Sequence, residues 1–155
     1  MDGEVGVAGV GRGVEEAAAG LGIVKVQDEG SADRFRHMKV LALHPQFETV
    51  FHLEDGRSLT SAEVWIPRPG PERITVRFRG VDVFRTPALH LLDRLEAMGL
   101  TVLREPDHAY VPGLSLGLTR TTGHDVPLGT DGEPLYFQAV LTGPTGCYDY
   151  KLKAA

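Results

Sequence analysis

Apolar positions recur along this chain with two periods, and each change of period marks an element. Ala88, Leu91, Leu92, Leu95 and Met98 fall on one face of a 3.6-residue helix. Thr86-Pro87 supplies its start, because threonine caps and proline at the first helical position has its φ preset, and Gly99 supplies its stop. Elsewhere the period is two. Phe47, Thr49, Phe51 and Leu53 share one face of an extended segment, and Ala62, Val64 and Ile66 share one face of the next. Between them Glu54-Asp55-Gly56-Arg57 is a turn of the Asp-Gly type, so the two segments pair as a hairpin. Ile74, Val76 and Phe78 alternate within Arg73 to Phe78, and Leu135, Phe137, Ala139 and Leu141 alternate in a last predicted strand. Further strands are predicted at Ile23 to Val26, Phe35 to Leu43, Thr101 to Leu103 and Leu114 to Arg120, while the tail from Thr142 carries little pattern.

The pattern reads as one unit used twice. A short helix over Val14 to Gly20, with Glu15 and Glu16 in its first turn, runs into Gly22 and the strand Ile23-Val24-Lys25-Val26. The longer helix runs into Gly99 and Leu100-Thr101-Val102-Leu103. Met38, Val40 and Ala42 alternate as Leu114, Leu116 and Leu118 do. Hairpins follow where crossover helices would be needed for a parallel sheet. The expectation is an α+β fold: a tandem repeat of helix plus antiparallel strands, with a mostly antiparallel sheet and the helices packed on one side. Residues 1–66, including a glycine-rich start, form the first half, 67–72 a proline-rich junction, and 73–155 the second half. Val40, Leu43, Phe51, Val64, Ile74, Val76, Phe78, Leu91, Leu92, Leu95, Leu116, Leu118 and Phe137 are the expected core.

Composition narrows the classes of function. A chain of 155 residues, 42% hydrophobic and 24% charged, buries one core or two fused half-cores. Its net charge of −5 argues against nucleic acid as the main partner, because phosphate binding rests on basic patches, and suits a basic protein partner. Cys147 is the only cysteine, so neither an intramolecular disulfide nor a thiolate metal site forms within the chain. No apolar run of signal-peptide or membrane-span length follows Met1-Asp2-Gly3-Glu4, and a cytoplasmic protein without membrane contact is expected.

Chemical motifs are few. Gly9-Val10-Gly11-Arg12-Gly13 invites a dinucleotide-binding reading with Asp28 as the ribose acid, but the third glycine position falls on Val14 or Glu16 and no crossover follows. No cofactor is therefore expected. His37, His44, His52, His90, His108 and His124 show no metal-ligand spacing, so no metal is expected either. No serine occupies a nucleophile elbow, and Cys147 reads as a structural thiol. The long polar loop from Thr121 to Glu133 carries His124, Asp125 and Asp131, which supports an alternative reading as a small hydrolase or metal-dependent enzyme.

One strand pair stands out as a candidate binding surface. With Ala62, Val64 and Ile66 inward, Glu63 and the only tryptophan, Trp65, face outward. Across the proline-rich turn Arg73, Arg77 and Arg79 fall opposite Ile74, Val76 and Phe78. If the two strands pair, a tryptophan stands among arginines, the residue types enriched at protein-interaction hot spots. Trp65 would anchor a partner while Arg73, Arg77 and Arg79 met its acidic groups.

The helix-then-glycine joints at Gly22 and Gly99 and the repeated strand pattern give the chain an architecture that resembles the duplicated fold of the beta-lactamase inhibitory proteins. It is also similar to the small α/β immunity proteins of bacterial toxin systems. The inhibitory proteins carry a disulfide in each repeat, which a single cysteine does not allow. The resemblance implies a non-catalytic protein-binding module, a bacterial immunity or inhibitor protein that acts by occluding a partner's surface.

Overall fold

Alternation becomes a sheet wherever a neighbouring strand matches its register, and here eight strands do so in one continuous layer. The computed structural model describes residues 23–28, 38–44, 47–55, 58–65, 75–121, 123 and 126–154. The elements in chain order are β1 (Ile23–Asp28), β2 (Met38–Leu43), β3 (Glu48–Leu53), β4 (Ser61–Trp65), β5 (Arg77–Phe78) and β6 (Val81–Asp82). After them come α1 (Ala88–Ala97), β7 (Leu103–Arg104), β8 (His108–Val111), β9 (Leu116–Thr119), β10 (Ala139–Thr142) and α2 (Asp149–Ala154). The main sheet has the order β1-β2-β3-β4-β10-β9-β8-β7, and each neighbouring pair is antiparallel. The architecture is α+β with an antiparallel main sheet.

That strand order is a palindrome of two meanders. The first runs β1 to β4 and the second β7 to β10, and their last strands pair at the centre with Trp65 opposite Ala139 and Glu63 opposite Leu141. The residues matched between halves by sequence do not all occupy equivalent places. Met38, Val40 and Ala42 lie on β2, the second strand of its meander, whereas Leu116 and Leu118 lie on β9, the third of its own. Leu114 closes a short 3-10 turn, Pro112–Leu114. The predicted junction at 67–72 and the helix over Val14 to Gly20 lie outside the described residues.

The inner face of the sheet carries the core. Val40 and Ala42 on β2 pair with Phe51 and Thr49 on β3, and all four are buried. Phe51 and Leu53 join Val40 and Ala42 in one cluster, with Met38, Leu59 and Ala62 packed against it. On the other half α1 lays Ala88, Leu91, Leu92 and Leu95 over Ala109, Val111, Leu118 and Phe137, with Val64, Val76, Phe78 and Leu116 half-buried at the margin. Each fully buried leucine contributes about 1.5–3 kcal/mol relative to exposure. Leu43, expected in the core, is half-buried instead, because its register partner Glu48 places it on the opposite face.

The ends of α1 obey two different kinds of rule. At the C-terminus Gly99 adopts φ +84°, its amide donates to the Glu96 carbonyl and the Leu100 amide to that of Leu95, a Schellman closure that glycine permits. At the N-terminus Pro87, not Thr86, is the cap and no side chain caps the helix. The Ala88 amide donates instead to the Leu135 carbonyl at 2.7 Å, a tertiary cap.

Helices flank the sheet on both sides, which corrects the one-sided packing expected from sequence. Tyr148, just before α2, lies over Gly117 on the face opposite α1: a Cβ built on Gly117 would meet the Tyr148 hydroxyl at 2.6 Å. The Tyr148 ring also packs on that of Tyr110, at 4.9 Å between centroids, and Tyr110 is the register partner of Gly117. The missing side chain at Gly117 is thus what seats the C-terminal segment. Ser115, left-handed at φ +51°, ties the same segment down by accepting the Gly146 amide on its hydroxyl and the Gly143 amide on its carbonyl.

Candidate functional site

Trp65 and Glu63 occupy the outer face of the sheet at its centre, as alternation on β4 requires once Ala62 and Val64 pack inward. Their neighbours are set by register. Trp65 lies between Glu48 on β3 and Ala139 on β10, and Glu63 lies between Val50 and Leu141. Val50 and Ala139 are buried at 8% and 2% exposure without belonging to the inner core, so large outer-face side chains shield them. Trp65, Glu63 and Glu48 are half-buried. The His52 imidazole approaches Glu63 at 3.6 Å between Nε2 and Oε2. Among the described residues no Lys or Arg forms an ion pair with Glu48 or Glu63.

Tyr148 closes one side of this surface. Burial pushes its hydroxyl up to about 12, and the charges of Cys147, Tyr110, Tyr150 and Glu63 add to the shift. Gly117, which Tyr148 covers, is the register partner of Leu141, and Leu141 in turn pairs with Glu63.

The arginines expected beside Trp65 belong elsewhere. β4 pairs with β3 and β10, so no strand from residues 73–79 lies against it. Arg77 is in a separate two-stranded sheet opposite Asp82. The chain reverses immediately afterwards at Arg79 and Gly80, with φ +46° and +82°, the positive pair that a tight two-residue hairpin demands. Arg79 turns its guanidinium over the Phe78 ring at 5.3 Å. Arg77 and Arg79 are exposed, and Arg73 lies outside the described residues. The alternation of Arg73 to Phe78 predicts one strand, and of its described residues only Arg77 and Phe78 are paired, because β6 ends at Asp82.

A second concavity, of about 470 Å3, opens at the end of β8 and β9 between Pro106, Asp107, His108, Thr119, Arg120, Thr121 and Glu133. Its organising residue is Arg120, whose side chain is only 4% exposed. Nη1 donates to Asp131 Oδ2 at 2.8 Å and to the Pro134 carbonyl at 3.2 Å, and Nη2 donates to the Pro106 carbonyl at 2.7 Å. Burial alone would push the Asp131 carboxyl up, but the Arg120 hydrogen bond and charge, with the Glu133 amide, hold it below the usual carboxylate range. Asp131 is therefore a fixed counter-ion that fastens the loop, a poor candidate for the proton-transferring acid of an enzyme. His124 and Asp125 lie outside the described residues. At the rim, Asp107 accepts from His108 Nδ1 at 2.8 Å, and that hydrogen bond lowers the Asp107 carboxyl.

Alternation along β4 puts Trp65 and Glu63 on an outer face, where they lie, but does not single out Glu48 or Arg120. Glu48 carried a partial signal, since the inward Thr49, Phe51 and Leu53 send it outward, but only the β3–β4 register sets it against Trp65. Arg120 carried none, because its partners are up to fourteen residues away. Among the described residues no group of three or more His, Cys, Asp or Glu side chains is placed to hold a metal ion. Likewise no helix is long and apolar enough to cross a membrane. Comparison with family models, with curated proteins and with solved structures found no match.

Proposed function

We propose that this chain is a non-catalytic protein-binding module whose docking surface is the outer face of the main sheet around Trp65, working by occlusion as an immunity or inhibitor protein does. The observation that carries this reading is the half-buried tryptophan at the centre of an eight-stranded sheet, flanked by Glu48 and Glu63 and by the apolar Val50, Ala139 and Leu141. A rigid aromatic side chain on a sheet loses little freedom on binding, and tryptophan is prominent among residues that dominate interface energies. We also propose that the two meanders are the halves of a tandem repeat, a reading supported by the palindromic strand order.

The test is retention of a protein partner from the native host, followed by variants. Trp65→Ala should weaken binding by about 2 kcal/mol or more, roughly thirtyfold. Arg77→Ala, on the separate hairpin, should leave affinity within about twofold, under roughly 0.5 kcal/mol. Equal binding by wild type and Trp65→Ala would place the docking surface elsewhere.

A further inference from the structure

From the charge pattern of the outer face we infer that its partner is a cationic protein segment, seating an arginine or lysine over Trp65 and between Glu48 and Glu63. This rests on the docking face proposed above. The net charge by itself suited a basic partner, and acidic partner groups were expected at Trp65 only on the premise that Arg73, Arg77 and Arg79 stand beside it. The fold puts Arg77 in another sheet and Arg79 in its hairpin turn, and leaves glutamates in the two places that matter, directly across the strand at Glu48 and two residues along it at Glu63.

These carboxylates are half-buried, and no Lys or Arg among the described residues forms an ion pair with either. Among the described residues the basic group nearest Glu63 in an ion-pair contact is the His52 imidazole at 3.6 Å, a weak counter-ion when neutral. Half-buried carboxylates retain a strong field because water screens them incompletely, and a guanidinium satisfies two at once through its fork of donors. The same planar cation stacks on an indole, the aromatic ring that attracts cations most strongly. On the β10 side the half-buried Leu141 offers apolar surface for the stem of such a side chain. The net charge of −5 adds long-range attraction for a cationic partner.

Trp65 is the only tryptophan, so fluorescence excited beyond the tyrosine absorption band reports on this face alone. The full chain titrated with a hexa-arginine peptide at low salt should show a saturable change in Trp65 emission, and a hexaglutamate peptide should show none. Glu48→Gln and Glu63→Gln should each weaken hexa-arginine binding about fivefold, whereas Glu54→Gln in the exposed β3–β4 turn should change it less than about twofold. Equal responses to both peptides overturn the inference. So does an equal loss in all three variants, which would mean attraction by net charge alone. With the host partner in hand the two readings separate. A partner that needs Trp65 but binds Glu48→Gln and Glu63→Gln undiminished leaves the docking face standing and removes the cationic partner. A partner indifferent to Trp65→Ala removes the docking face, even where hexa-arginine binds.

Discussion

Arg120 commits its guanidinium to three segments at once: the Pro106 carbonyl before β8, Asp131 in the long loop and the Pro134 carbonyl beyond it. Its Nε is buried without a hydrogen-bond partner, and Phe137 receives the cation on its ring face at 5.8 Å. A buried charge of this kind depends on its counter-ion. Asp131→Asn should cost about 3 kcal/mol, the low end for a broken buried pair, because Asp131 keeps a quarter of its side chain in water. The pH dependence has a definite sign. The Asp131 carboxyl is held below its usual 3.8, so its contribution is complete above that value and is lost as pH falls through it towards the depressed one. Urea unfolding measured from about pH 6 down to pH 3 should show a steeper acid loss in the wild type than in Asp131→Asn, since only the wild type protonates this group on unfolding. Parallel curves would show that the Asp131 carboxylate is not coupled to folding.

At the scale of elements, α1 and the segment before β5 show where periodic patterns suffice and where they do not. The α1 stripe needed only its own sequence: five apolar positions at helical spacing all became inward-facing, four of them buried. Leu92→Ala should cost about 2–5 kcal/mol by chemical denaturation, since the side chain is 2% exposed and packs in the larger core. A loss below about 1 kcal/mol would mean that the stripe does not bear on the core. Arg73 to Phe78 alternates just as cleanly, yet among its described residues only Arg77–Phe78 forms strand pairing, because the partner strand ends at Asp82, whose carboxylate accepts the Phe84 and Arg85 amides and turns the chain. The last strand is likewise shorter than its pattern. Phe137 enters the core beneath α1, while Ala139 and Leu141 lie on the outer face with Trp65 and Glu63. One alternating run therefore spans a change of role at Gln138, whose amide donates to the Thr119 carbonyl.

For the whole molecule, the two meanders meet along a single strand pair, β4 with β10, and the second buries α1 against its own strands β8 and β9. If they are two halves of a repeat, each contains most of its own packing and the pair rejoins through the central strands. Fragments made by cutting between Gly70 and Pro71 and expressed together should copurify, and Val140→Pro, which removes an amide from the central strand, should separate them. Fragments that fail to associate while the uncut chain folds would argue against separable halves. The two outer edges differ as well: β7 has two residues, with Arg104 held by Asp93 and Glu96 of α1, whereas β1 has six.

The sequence by itself determined the local elements and their faces. Alternation made β3 and β4 amphipathic strands, helical spacing set the buried side of α1, and glycine at a left-handed position ended it, because each depends on residues a few positions apart. The tertiary structure decided what those faces meet. β4 pairs with β10 rather than with the arginine-bearing segment, Glu48 comes to stand across from Trp65, Tyr148 lies over Gly117 on the far side, and Asp131 closes on Arg120. Each of those choices is a long-range register or contact, fixed by which strand edges and cavities remain open once the local elements have formed, and no spacing along the chain encodes it.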